Sequence, residues 1–181
     1  MRIHGRVIVS ALILIAVSLA LPHEGAGQSP PKPPELKVLE RYIGTWKYEF
    51  VSKAAEWNPK EFRYSGTTTN TWILDGHFQQ HKSKHDTGEE GVDILTYDVR
   101  TKTYRMWSFD SAGFSNEFTG VWDENSKTLT SKCDIGDGIV IVLTMRFIDQ
   151  DHRELKSVAK DGNGKVYIDI QGKLTRQNAK A

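Results

Sequence analysis

Gly44-Thr45-Trp46-Lys47-Tyr48-Glu49-Phe50 is the stretch that decides the fold. Trp46, Tyr48 and Phe50 recur at every second residue with charged Lys47 and Glu49 between them, which is the period of a strand with one buried face. Just upstream, Pro34 opens a short helical stretch, since a proline at the first turn gives up an N–H that has no intrahelical partner anyway. From Glu35 to Tyr42, the residues Leu36, Leu39 and Ile43 fall on one face, with Val38 and Tyr42 beside them, and Gly44 ends the run. Two helical turns are marginal alone, so this helix is expected to pack on the domain as a lid or plug.

Downstream the chain reads as strand after strand, over 45–53, 61–74, 77–86, 91–98, 103–110, 114–122, 127–134, 138–149, 152–160 and 165–176. Turn signals separate them, among them Asp75-Gly76, Thr87-Gly88, Ser111-Ala112-Gly113, Gly136-Asp137-Gly138 and Asp161-Gly162-Asn163-Gly164. Links this short make consecutive strands pair as antiparallel hairpins. An up-and-down sheet leaves two unpaired edges unless it closes on itself. The expected fold is therefore all-β: an antiparallel up-and-down β-barrel of about ten strands with a short N-terminal helix, wide enough to enclose a small ligand.

Parity indicates which side chains point inward. The apolar-rich sets are Trp46/Tyr48/Phe50, Phe62/Tyr64/Trp72/Leu74, Trp107/Phe109, Phe114/Phe118/Trp122, Ile139/Ile141/Leu143/Met145/Phe147 and Val166/Ile168/Ile170/Leu174. Arg105 shares the parity of Trp107, and Asn116 that of Phe118. On the second strand Gly66, Thr68 and Asn70 interrupt the apolar set, which means either a bulge that switches the face or a polar lining. So aromatic an interior suits a cavity walled by rings, and Tyr48, Phe50, Tyr64, Trp72, Arg105, Trp107, Phe109, Phe118 and Met145 are the expected lining. A buried Arg105 would require an anion such as a carboxylate head group.

Ahead of the domain, Arg2 and Arg6 precede an uncharged apolar run over Val7–Leu21, and Gly25-Ala26-Gly27 follows. That is the order of a cleavable secretory signal, expected over residues 1–27, and the run is short for a bilayer span of about 20 residues. No cysteine lies near the cleavage region, which closes the lipoprotein route. Residues 28–34, with Pro30-Pro31-Lys32-Pro33-Pro34, read as an extended linker, and 35–181 as the barrel domain. The expected location is the periplasm or the medium, with no stable membrane anchor once the signal is removed.

Removing residues 1–27 takes Arg2, Arg6 and Glu24, so basic and acidic side chains then balance. A neutral surface has no long-range field to collect phosphates, which makes nucleic acid an improbable partner. Cys133 is the only cysteine, so no intramolecular disulfide can form. Its expected role is that of a small buried hydrophobe.

His77, His81 and His85 share a strand face, but four-residue steps hold neighbours about 13 Å apart, too far for one Zn²⁺ with bonds of about 2 Å. No metal is expected, and these histidines are expected to face solvent. Haem through a His near the last strands is disfavoured, because Lys165–Arg176 has none and His152 sits beside a turn. No cofactor is expected. Asp161-Gly162-Asn163-Gly164-Lys165 begins like a calcium loop but has Gly172 where a bidentate Glu belongs. Nothing places a base beside Ser111, and no catalytic set is visible.

The order of helix, Gly44-Thr45-Trp46, hairpins and a final Arg176 resembles the lipocalin-type barrels. That resemblance implies that Gly44 and Trp46 stand at the closed end, with Arg176 laid across the indole ring. A closer resemblance covers nearly the whole domain. Trp72-Ile73-Leu74-Asp75-Gly76-His77-Phe78, Leu95-Thr96-Tyr97-Asp98, Trp107-Ser108-Phe109-Asp110-Ser111-Ala112-Gly113 and Gly120-Val121-Trp122-Asp123-Glu124 are similar to the bacterial domain-of-unknown-function family 1579. Its members are small, often exported and lipocalin-like, and His77 stands where that family leads one to expect an Arg or similar residue. The resemblance supplies no catalytic residues.

The function these readings favour is non-enzymatic binding of a small hydrophobic or amphipathic molecule inside the barrel. Two alternatives remain open at this point. A barrel enzyme of the isomerase, cyclase or lyase kind would need an internal acid or base such as His77, Glu117 or Asp93. A structural envelope module would show a filled interior and a broad apolar outer patch.

Overall fold

The computed structural model describes residues 31–177; the expected signal over 1–27 lies outside the described residues, as does residues 28–30 of the linker. A short helix α1 (Leu36–Glu40) precedes ten strands: β1 (Gly44–Ser52), β2 (Phe62–Ile73), β3 (Phe78–His85), β4 (Glu90–Asp98), β5 (Thr103–Asp110), β6 (Ser115–Asp123), β7 (Thr128–Asp134), β8 (Val140–Phe147), β9 (His152–Lys160) and β10 (Val166–Gln177). Each strand pairs antiparallel with the next, and β1 pairs with β10 to close the barrel. Closure leaves no sheet edge to pair with another chain.

β1 shows why the register is unambiguous. Trp46 and Tyr48 are buried while Lys47 and Glu49 are exposed, so a one-residue slip would turn both rings into water. The rings of Tyr48 and Phe50 also need room beside them. Tyr48 pairs with Gly66 of β2, and Phe50 with Gly172 of β10. A Cβ at Gly66 would collide with the Tyr48 ring, and one at Gly172 with Phe50. The two glycines are the slots into which those rings fold.

β2 has no bulge: its pairing runs without interruption from Phe62 to Asn70 against β1 and from Gly66 to Ile73 against β3. Gly66, Thr68 and Asn70 are all buried and point inward, so the polar lining is the reading that holds. Among the described residues the one register shift is on β10, between Val166 and Ile168. Phe62, Leu74 and Phe114, expected inside by parity, are exposed because they stand at the ends of strands, beyond the layers that close over the core.

α1 covers the closed end. Leu36 and Leu39 bury their side chains there against Tyr42, Trp46 and Phe147. Helix C-terminal carbonyls lack intrahelical partners, and here barrel side chains supply them. Gln79 Nε2 donates to Leu39 O at 2.6 Å, while Asn70 Nδ2 and Trp46 Nε1 both donate to Tyr42 O at 2.8 Å. Tyr104 Oη donates to Glu35 O at the other end of the helix. The expected plug is thus held by hydrogen bonds as well as by its apolar face.

Candidate functional site

Above this plug lies a cavity of about 230 Å³. Tyr48, Phe50, Leu95, Met106, Leu143 and Met145 supply apolar wall, and Tyr42, His81, Asp93 and Arg153 border it with polar groups. Three of these polar groups come from strands whose inward positions coincide. His81 of β3 stands opposite Asp93 of β4, which in turn stands opposite Ser108 of β5. Arg153 of β9 pairs with Leu174 of β10 and Phe147 of β8, both inward residues, so it points inward as well.

Arg153 is 2 % exposed. Its guanidinium carbon lies 4.2 Å from the Trp46 ring centre and 4.8 Å from that of Tyr42. Neither Nε nor Nη1 has a hydrogen-bond partner. Burial pulls its pKa down to about 9, with the neighbouring Arg176 charge acting the same way and Tyr42 and Asp93 opposing it. It therefore stays a cation at neutral pH. Burial also pushes the Asp93 carboxyl up, against a Ser108 hydrogen bond and the Arg153 charge that hold it down. The His81 imidazole is depressed to about 3, first by burial and then by Arg153. His81 is thus neutral, with Nε2 3.0 Å from Gln79 Oε1 and its ring stacked on Tyr42.

Trp46 carries a second guanidinium. Arg176 stands 4.2 Å from the same ring centre and donates to Arg41 O at 3.0 Å, Gln150 O at 2.9 Å and Ile43 O. Gly44, at φ +107°, leaves space for it, because a Cβ there would meet Arg176 Nη1 at 3.0 Å. Gly44, Trp46 and Arg176 are together at the closed end.

The residues expected to line a ligand site fall into three groups. Tyr48, Phe50 and Met145 wall the cavity. Tyr64, Trp72 and Phe118 also point inward but pack into the surrounding core. Trp107 and Phe109 do not point inward at all. Tyr104 and Met106 take the inner face of β5, opposite Leu95 and Phe118. This puts Trp107 on the outer face, and Phe109 is 47 % exposed. Arg105 borders the cavity, but its guanidinium lies over Trp107 and pairs with Glu117 and Asp98 outside. The arginine buried inside the barrel is Arg153.

The histidines need a similar correction. Gln79, His81, Ser83 and His85 form the inner face of β3, so His81 and His85 point into the barrel rather than to solvent. His85 packs against the rings of Tyr48 and Tyr64. His77 lies just before the strand, where its carbonyl accepts a hydrogen bond from Thr96. Of the three acid–base candidates named for an enzyme, only Asp93 borders the cavity; Glu117 faces outward.

Elsewhere the turn residues behave as turn residues. Asp134, Asp149 and Asp161 each accept backbone N–H bonds through Oδ1. Ser111 Oγ accepts from the Glu90 N–H. Cys133 is buried. Among the described residues no three His, Cys, Asp or Glu side chains gather to hold a metal ion, and no helix is long and apolar enough to cross a membrane.

Residues 32–176 match a family described as protein of unknown function (DUF1579). The chain belongs to this family. Among curated proteins no significant match is found. The crystal structure of Rv2717c from M. tuberculosis is similar with a TM-score of 0.62 at 13 % identity, over 82 % of this chain and 100 % of that one. The S-type phycobiliprotein lyase CpeS from Guillardia theta follows with a TM-score of 0.53 at 15 % identity, over 80 % and 93 % of the two chains. A DUF3598 protein of unknown function from Nostoc punctiforme has a TM-score of 0.51 at 9 % identity, over 77 % of this chain and 49 % of that one. At such identities these likenesses establish the lipocalin-like barrel of this DUF1579 member and nothing finer.

Proposed function

We propose that this protein is an exported barrel that holds one small amphipathic molecule in its interior without transforming it. The observation that carries this reading is the cavity of about 230 Å³, whose lining joins apolar side chains such as Phe50, Leu95, Met106 and Met145 to the polar groups of Tyr42, His81, Asp93 and Arg153. Ligand sites combine those two features, and the volume, below the usual range of about 300–1,000 Å³, suits a single short chain. Support for export is the order of charged, apolar and small residues over 2–27.

Titration calorimetry with a series of straight-chain amphiphiles from six to twelve carbons tests the binding reading. Each methylene buried contributes about 0.8 kcal/mol, so affinity rises about fourfold per carbon until the cavity is full and then levels. Leu143→Trp, which fills the cavity from β8, abolishes the series. A chain-length dependence untouched by Leu143→Trp sinks the reading.

One observation favours an enzyme as a second reading: His81 and Asp93 face each other across the β3–β4 ladder beside the cavity. An extract of host small molecules would then change in mass on incubation with the protein and not with the His81→Gln/Asp93→Asn double variant. Identical extracts remove that reading.

A further inference from the structure

We infer that the molecule held in the barrel carries an anionic head group, a carboxylate, seated on Arg153 at the closed end of the cavity; this rests on the lumen-binding reading above. A buried ion is tolerated when a counter-ion and hydrogen bonds replace the water it has lost. Arg153 has neither. Its Nε and Nη1 lack acceptors, and among the described residues no carboxylate forms an ion pair with it. The rings of Trp46 and Tyr42 stabilise the cation through their faces but offer its N–H groups no lone pair.

The surrounding groups fit the same occupant. Among the described residues Asp93 is the only acidic side chain in the cavity wall, and it takes a hydrogen bond from Ser108 instead of pairing with Arg153. The Tyr42 and Tyr48 hydroxyls are buried without partners and border the same cavity. Burial holds both phenols protonated, so each has an O–H to donate to an incoming oxygen. A guanidinium fork flanked by phenol donors suits a carboxylate.

On the β8–β10 side the wall beyond Arg153 is apolar. Along the β9–β10 ladder Arg153 pairs with Leu174 and the next inward pair is Leu155 with Gly172, the slot that holds Phe50. Met145 of β8 pairs with that same Leu155. An alkyl tail rising from Arg153 would run between these side chains.

Three probes that share one tail separate the head group from the chain: octanoate, octanol and octylammonium, titrated into the protein by calorimetry. Octanoate is expected to bind about tenfold or more tighter than octanol, with octylammonium weakest. Arg153→Met removes the preference for octanoate while octanol still binds. Should that variant fail to fold, Tyr42→Phe carries the test: it keeps the ring beneath Arg153 and removes one donor to the carboxylate, which narrows the octanoate-to-octanol ratio several-fold. Octanol binding as tightly as octanoate, octylammonium binding tightest, or a ratio unmoved by Tyr42→Phe overturns the inference and leaves lumen binding standing. If none of the three binds, the lumen reading falls with it.

Discussion

Trp46 holds the closed end through its two faces and its one polar atom. It is fully buried, carries Arg153 and Arg176 each at 4.2 Å and donates its indole N–H to Tyr42 O. Trp46→Ala removes the ring that both guanidinium groups rest on. The expected loss is about 3–5 kcal/mol, read as a lower midpoint in urea denaturation. A change below about 1 kcal/mol would mean that the end refills itself. His81 sets a pH dependence. The unfolded chain takes up this proton near pH 6.5 and the folded chain only near 3. The unfolded state binds more protons across that window, so stability falls as pH drops from 6.5 towards 3. The slope from this group is at most about 1.4 kcal/mol per pH unit. Asp93 acts with the opposite sign, since its carboxyl is raised on folding; it is present in both proteins, so His81→Gln isolates the histidine. That variant is expected to lose stability less steeply than the wild type over this range, and parallel curves would show that His81 protonates in the folded state.

β1 is the element that fixes the barrel, because it pairs on both sides and its rings occupy glycine slots in both neighbours. Gly66→Ala drives a methyl group into the Tyr48 ring and the backbone of Lys84. The expected cost is about 1–3 kcal/mol in urea denaturation, and an unchanged midpoint would show that the Tyr48 ring moves aside freely. The period of β1 was legible because its charged and aromatic residues alternate without exception. β5 was not, because it has large apolar side chains on both parities: Tyr104 and Met106 on one, Trp107 and Phe109 on the other. Only pairing with Leu95 and Phe118 decides between them, and the outer pair gains an Arg105–Glu117 surround instead of a core. β3 misled for the opposite reason, since its inner face is polar and carries Gln79 and His81 to meet the helix carbonyl and the buried ring of Tyr42. Arg153 left a readable trace: it shares parity with Leu155 and Ala159, both inward, and faces Phe147 and Leu174 in the adjoining ladders.

For the whole molecule, ten strands, hairpin order and closure were legible because short links and turn residues leave little choice of topology. The cavity contents were not, because a residue's place in a barrel depends on the shear of all ten strands together. The central claim is that this closed barrel carries one small amphipathic molecule. Native mass spectrometry of the protein purified from its own host tests it most directly, with the Leu143→Trp variant purified in parallel. The account predicts a single bound mass at one-to-one stoichiometry, released on denaturation and missing from the variant. A wild-type protein that arrives empty, or an adduct that survives in Leu143→Trp, would contradict it.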